Sequence, residues 1–502
     1  MSTSTMRAIG AMGDGETAAV RLARGESVEA VVPDDDPGAW IALDAGARQS
    51  IWYADEGVWL RPWAVTEGGQ ALLAAVRRNG ARGLTAVLRR AQPLTESQLA
   101  LVLCHWDGRV RQKALDQVAD HPGLLPLVVV RCSDWAPQVR EAARLRLAEA
   151  LDERTAVRLM PLVLRIGRRG RGDFATALAD RLLRTAPPEL LAPLYTDPDR
   201  AVRRYAYRLA VEERLLAPAE LARTAARDSD TVVQSLCADA AQAAVADGEG
   251  YDDVLEPLLG ARSPQVRAAG VTALRRAGRA GRTERAVGFL ADRAGVVRAC
   301  ARYVVRQGGG DPLPWYRERC ADPEGLPPGA VIGLAECGER ADAEVLWALL
   351  GHPSAGVRAR AVAGLRILDV TDVRRLRPLL DDPAPGVVRE VTAALLTSAG
   401  AVPEQELTER LGGEWPRQVR VAAFRLLDAR GGIVRLRAAV TALDDPDERI
   451  REWARQSVQG WHAGADVPPE AAAEVGALLD RSRHLFSEYV LKRRKWEAGV
   501  RS

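Results

Sequence analysis

Lysine is nearly missing from this chain: of 70 basic residues, all but Lys113, Lys492 and Lys495 are arginine. A GC-rich coding sequence accounts for that bias more simply than selection for guanidinium chemistry. Histidine is scarce too. His105, His121, His352, His462 and His484 lie far apart, with no H-x-x-x-H pair and no His-Glu dipeptide, so no local motif holds a metal. The six cysteines are scattered, none in a C-x-x-C pair, and most stand beside Leu and Val, as small core residues do. That usage excludes a disulfide framework and points to a reducing cytosol. No apolar run approaches the length of a membrane span, and the N-terminus lacks a signal core, so a cytoplasmic protein without a membrane partner is expected.

The motifs of catalysis are missing as well. No G-x-S-x-G occurs. Cys104 and His105 are adjacent, which on a helix points them about 100° apart. The run Gly308-Gly309-Gly310-Asp311 lacks the Lys-Ser/Thr that a phosphate-cradling loop needs, and reads as a turn between helices. No catalytic residue, metal centre or cofactor is therefore assigned. Aromatics are 5% of the chain while apolar residues are 47%. Ala, Leu and Val must build the core, which suits closely packed helices.

What the chain does have is repetition. Residues 380–395 read LDDPAPGVVREVTAAL, and close relatives of that phrase begin at Leu350 and Leu443. Arg358, Arg389, Arg420 and Arg451 follow one another at intervals of 31 residues. A fixed period of that size means a solenoid of helix pairs. Second helices open at Val110-Arg111, Val139-Arg140, Val202-Arg203, Val266-Arg267, Val297-Arg298, Val357-Arg358, Val388-Arg389, Val419-Arg420 and Ile450-Arg451. A degenerate unit falls near 171–183, and two copies lose the arginine, at Val233-Gln234 and Ala330-Val331. Apolar residues three, four and seven positions on form one helical face. In the phrase Asp-Pro ends the first helix, and an oxygen near the turn caps the second. Each arginine, one residue past a buried Val, is expected to reach an acidic turn residue of its own or the neighbouring copy, making a ladder of charge-assisted bonds.

The phrase Asp-Pro-x-x-x-Val-Arg-x-x-Ala resembles the HEAT repeat, in the short form of bacterial HEAT-like proteins related to the bilin-lyase repeat, over roughly residues 68–460. The resemblance implies an all-α, right-handed α-α superhelix of about twelve helix pairs. It leaves function open, because the fold hosts scaffolds, lyases, hydroxylases, nucleic-acid binders and adaptors. HEAT-like hydroxylases with a di-iron centre use repeated His-Glu dipeptides, which this chain lacks.

Residues 1–66 do not fit the repeat. They are acidic: residues 1–70 hold five arginines against eleven acids, a balance of −6 in a chain of net charge +3. They contain Trp40, Trp52, Tyr53, Trp59 and Trp63. An N-terminal cap over the open end of the stack is expected, with a helix at Trp40 capped by Asp36. Residues 67–460 form the solenoid. Residues 461–502 form a C-terminal cap, with one long helix at 470–497 and a basic end at Lys492–Lys495.

Two functional readings follow. The first is a scaffold or adaptor that binds a protein partner along the concave face, the usual asset of such a stack. The second is nucleic-acid binding. Residues 158–184 carry seven arginines against two aspartates, and residues 262–285 seven against one glutamate. Within them Arg165, Arg168, Arg169, Arg171, Arg275, Arg276, Arg279 and Arg282 are the candidate phosphate contacts. HEAT-like alkylpurine DNA glycosylases clamp DNA in this way with concave Trp and Asp, to which Trp106-Asp107 and Asp134-Trp135 compare. The breaks near 168–175, at 233–234 and at 322–331 are the places where curvature is expected to change.

Overall fold

The computed structural model describes residues 14–33, 36–49, 94–244, 251–276, 279–322, 324–463 and 468–500. Every regular element among them is helical. The chain divides into two compact units, Met1–Ala244 and Val245–Ser502. Trp52, Tyr53, Trp59, Trp63 and a first helix pair expected at 72–88 lie outside the described residues.

The first unit opens with α1 (Asp14–Ala23), α2 (Val28–Val31) and α3 (Pro37–Ala47), then α4 (Glu96–Leu103), α5 (Gly108–Ala114), α6 (Leu125–Arg131), α7 (Pro137–Ala150), α8 (Glu153–Gly167), α9 (Asp173–Arg184), α10 (Pro188–Tyr195), α11 (Arg200–Glu212), α12 (Pro218–Arg227) and α13 (Thr231–Ala244). From α4 onward consecutive helices pack in pairs, and second helices such as α5 and α7, or α11 and α13, stack on one another.

The second unit repeats the plan with α14 (Tyr251–Leu259), α15 (Pro264–Ala273), α16 (Arg279–Val287), α17 (Gly295–Gln307), α18 (Pro312–Ala321), α19 (Pro328–Cys337), α20 (Ala343–Ala348), α21 (Ala355–Ile367), α22 (Val373–Leu376), α23 (Pro385–Leu395), α24 (Glu404–Glu409), α25 (Arg417–Asp428), α26 (Gly432–Ala442), α27 (Glu448–Gln459), α28 (Ala472–Arg481) and α29 (Glu488–Glu497). Each unit is a HEAT-like stack of helix pairs.

The local logic is the same at each second helix. An Asp side chain caps α5, α11 and α27, and Pro stands at the first position of α7, α15, α19 and α23, where its missing N–H costs nothing. The Val three residues into the helix is buried: Val110, Val139, Val202, Val297 and Val357 are 0% exposed. Each such burial is worth about 1.5–3 kcal/mol against an exposed side chain.

The following arginine does two things at once. Arg358 Nη1 donates to the carbonyls of His352 and Pro353 in its own turn (2.8 and 3.0 Å), while Nε and Nη2 fork onto Asp382 of the next turn (2.8 and 2.9 Å). Asp382 also accepts from Ala384 N at 2.8 Å, which fixes the turn that starts the next second helix. The same rung joins Arg111 to Asp134, Arg203 to Asp228, Arg267 to Asp292 and Arg420 to Asp445. Asp-Pro and Val-Arg recur because each Asp serves the turn of its own copy and the arginine of the copy before.

The ladder departs from the sequence reading in particular places. Arg140 and Arg451 keep the bonds to their own turns, at 2.8 and 2.7 Å, and no acid faces them among the described residues. Arg298 does not pair with Asp322, the aspartate of the altered segment 322–329, which faces Arg319. It pairs instead with Glu336, which lies on α19 and also takes Arg302 at 2.7 Å.

Arg389, expected among the rungs, is outside them. Counting from the turn aspartate, the arginine stands at the sixth position (Asp445 to Arg451, Asp197 to Arg203), whereas six residues past Asp382 is Val388. Arg389 is one step further round the helix, 71% exposed, and bonds its neighbour Glu390. Arg389→Ala is therefore expected to move stability by no more than about 0.5 kcal/mol. Arg358→Ala, which strands the buried Asp382, should cost about 2–3 kcal/mol. Urea unfolding followed by far-ultraviolet circular dichroism checks the pair, and equal losses would remove the ladder as an account of stability.

The two ends also differ from expectation. The single helix expected over 470–497 is broken between α28 and α29. Ser482 Oγ bonds back to the carbonyls of Leu478 and Leu479, Phe486 is extended, and Ser487 caps α29 through Val490 N. At the N-terminus Asp36 does cap α3, through Gly38 N at 2.7 Å. Helix α3 lies across the ends of successive first helices. Arg48 donates to the carbonyl of Cys104 at the end of α4 (3.3 Å), Asp44 pairs with Arg131 at the end of α6, and α3 packs on α8.

Candidate partner-binding surface

The ladder absorbs most of the repeat arginines, so what remains exposed is informative. The exposed large apolar side chains among the described residues are Trp106, Trp135, Leu145, Val232, Val296, Tyr303, Ile367, Tyr489 and Trp496. Tyr489 and Trp496 lie on the last helix. The rest lie on second helices (Leu145 on α7, Val232 on α13, Val296 and Tyr303 on α17, Ile367 on α21) or on the turns that open them. None lies on a first helix.

Trp106 and Trp135 occupy equivalent places in consecutive turns, a place that Pro198, Pro353, Pro383 and Pro446 fill in four other copies and Trp415 in a fifth. Trp135 is 63% exposed, with the buried Arg111 guanidinium 5.5 Å from its ring centre; Trp106 stacks on His105 at 5.4 Å. Both rings are thus held from beneath and open above. His105 is itself buried, and burial pushes its pKa down to about 4 against the opposing pull of Asp107, so it is neutral at pH 7. Its Nδ1 accepts from Asp107 N at 2.9 Å, as His352 Nδ1 accepts from Ser354 N at 3.0 Å. In both turns the imidazole takes the part that an aspartate oxygen plays elsewhere.

The eight candidate phosphate contacts are divided between the units. Arg165, Arg168, Arg169 and Arg171 belong to the first, at the end of α8 and the loop after it. Arg275, Arg276, Arg279 and Arg282 belong to the second, and the side chains of the last three are outside those described. Arg165, Arg168 and Arg171 make no side-chain ion pair among the described residues. Arg169 bonds Ser133 Oγ at 3.5 Å, and Arg275 bonds Tyr303 Oη at 2.9 Å and sits over its ring. Elsewhere in the two basic stretches charge is spent internally: Arg184 on Asp180, Glu212 and Glu213, Arg285 on Asp252 and Glu256, and Arg267 on the ladder.

Burial pushes the thiols of Cys132, Cys237 and Cys320 up to about 12, and that of Cys104 higher still, which leaves them protonated and inert at neutral pH. Among the described residues no group of three or more His, Cys, Asp or Glu side chains is placed to hold a metal ion. No helix among them is long and apolar enough to cross a membrane.

The described residues form an all-α stack of paired helices. No family model and no curated protein sequence matches the chain. Among solved structures it is similar to importin beta (14% identity, 93% of this chain and 69% of that one, TM-score 0.33) and to Kap121p (12% identity, 88% and 53%, TM-score 0.24). An engineered protein is matched at 16% identity over 89% of this chain and 98% of its own, with a TM-score of 0.14. These likenesses are too distant to align the chains residue by residue.

Proposed function

We propose that the protein is a non-enzymatic scaffold that binds a protein partner along the face formed by its second helices. The observation that carries this reading is that, apart from Tyr489 and Trp496 on the last helix, the exposed large apolar side chains among the described residues lie on second helices and their turns. Protein interfaces draw their binding energy from a few Trp, Tyr and Arg anchors. Trp135, supported by Arg111 and standing in the turn that opens the helix carrying Leu145, is the anchor this reading assigns. A purified partner recovered by cross-linking from source lysate after nuclease treatment should bind Trp135→Ala at least 30-fold more weakly, an effect of about 2 kcal/mol. Unchanged affinity in Trp135→Ala and in Leu145→Asp would refute it.

Nucleic-acid binding is the second reading, favoured by Arg165, Arg168 and Arg171, which no carboxylate neutralises. It requires an affinity for DNA or RNA that falls steeply with salt. A flat salt dependence would exclude it.

A further inference from the structure

A cavity of about 1140 Å³ lies in the first unit between α3, α8 and the start of α11. It uses none of the residues assigned above to the second-helix face. Most polar groups on its wall are engaged. Asp36 accepts from Gly38 N, Asp197 from Asp199 N and Asp199 from Ala201 N, at 2.7–2.8 Å, and Arg203 is held by Asp228 and its own turn.

Arg165 and Arg200 are different. Both line the cavity, and neither side chain makes a hydrogen bond or ion pair among the described residues. Arg200 is the first residue of α11. Arg165 sits against the first turn of α3, where a Cβ built on Gly38 would be 3.2 Å from its Nη1. Two guanidiniums therefore stand beside the positive ends of two helices, a place that favours an anion. Trp40, on the same wall, is 1% exposed and its indole N–H has no acceptor. All three unmet groups are donors, and the apolar wall between them is Leu159 and Leu162.

We propose that this cavity binds a single carboxylate, the Glu or Asp side chain of an apolar-flanked peptide segment of a partner protein, held between Arg165 and Arg200. Arginine forks onto carboxylates through paired N–H groups, which supplies both strength and orientation. The three aspartates on the wall each keep one oxygen outside the caps. They would repel a polyphosphate or nucleic-acid backbone, with its many charges, more strongly than a single carboxylate.

The test is an immobilised array of dodecapeptides with Glu at the centre and varied apolar flanks. Each is paired with its Gln counterpart and with a phosphoserine counterpart, and all are probed with the full-length chain. We expect a subset of Glu peptides to be retained, with binding at least tenfold weaker to the Gln counterparts. We expect Arg165→Glu and Arg200→Glu, at exposed positions that leave circular dichroism unchanged, to weaken it by the same factor. Retention unaffected by either substitution, retention of the phosphoserine set alone, or no retained Glu peptide would each overturn the assignment. Trp135→Ala should leave the array signal unchanged, which separates this site from the second-helix face.

Discussion

Replacing Asp134 by alanine should lower the free energy of unfolding by about 3–5 kcal/mol, the cost of leaving buried charge without its partner. Asp134 is 1% exposed in its side chain and accepts from two arginines that are buried with it. Arg111, at 0%, forks onto it at 2.6 and 2.9 Å, and Arg131, at 2%, reaches it at 2.9 Å. Arg131 also pairs with Asp44 of α3, and its Nε has no acceptor among the described residues. The group is therefore already one bond short, and removing Asp134 leaves Arg111 with its turn carbonyls alone. Asp134 also fixes the start of α7 through Ala136 N at 3.0 Å, a bond that asparagine can keep and alanine cannot. Asp134→Asn should accordingly fall between the two.

The pH dependence gives a second reading of the same cluster. Burial by itself pushes the Asp134 carboxyl up, but the bonds from Arg111 and the charge of Arg131 outweigh it and hold the group below the usual carboxylate range. A carboxylate with a lowered folded pKa contributes stability that is present above the unfolded value of about 3.9 and is lost as pH falls through the folded one. The wild-type chain should lose that stability in acid, and Asp134→Ala should show a shallower loss below pH 4. Guanidinium unfolding at pH 7 and at pH 3.5 measures both. A loss under 1 kcal/mol at pH 7 would mean that the cluster is solvated rather than buried.

The repeat phrase made the helix pairs and the ladder legible, because each rung is written as two short motifs about 24 residues apart. The cluster that α3 closes was not legible. Asp44, Arg48 and Arg131 have no shared spacing, and nothing local says that α3 lies across first-helix ends. The register at Arg389 was legible but misread: the 31-residue arginine interval is one step out there, and counting from Asp382 to Val388 would have found it. The same counting explains other breaks. Gln234 stands in an arginine place and Ala261 in the next aspartate place, and the two compact units divide between them. Val331 stands in another arginine place and His352 in the next aspartate place. At these two breaks arginine and acid are absent together, so that neither is stranded. At segment 322–329 the arginine stays, and Glu336 on the following helix supplies the acid, a solution with no sequence signature.

That segment carries the last and sharpest contrast. Gly329 and Gly386 hold the same place in their helices, the second residue of α19 and of α23, each directly after proline. Alanine in a helix is favoured over glycine by up to about 1 kcal/mol, so propensity alone predicts a gain at both. A Cβ on Gly386 would meet nothing within 4 Å, whereas on Gly329 it would lie 2.0 Å from the carbonyl oxygen of Ala291 and 2.8 Å from that of Asp292. Both obstacles are backbone, which no rotamer change can clear. The turn they belong to carries two rungs: the Asp292 carboxylate binds Arg267, and the Asp292 carbonyl accepts from Arg298 at 2.7 Å. Helix α19 must then move off the turn, or the turn must give up its bonds. Gly329→Ala should therefore destabilise by about 3 kcal/mol, the upper part of the range for overpacking, while Gly386→Ala should stabilise by about 0.5 kcal/mol. Opposite signs in paired thermal and urea unfolding are the expected result. A gain at both positions would show that α19 does not press on the 291–292 turn, and that the proline-rich departure at 322–329 is a loop without a packing role.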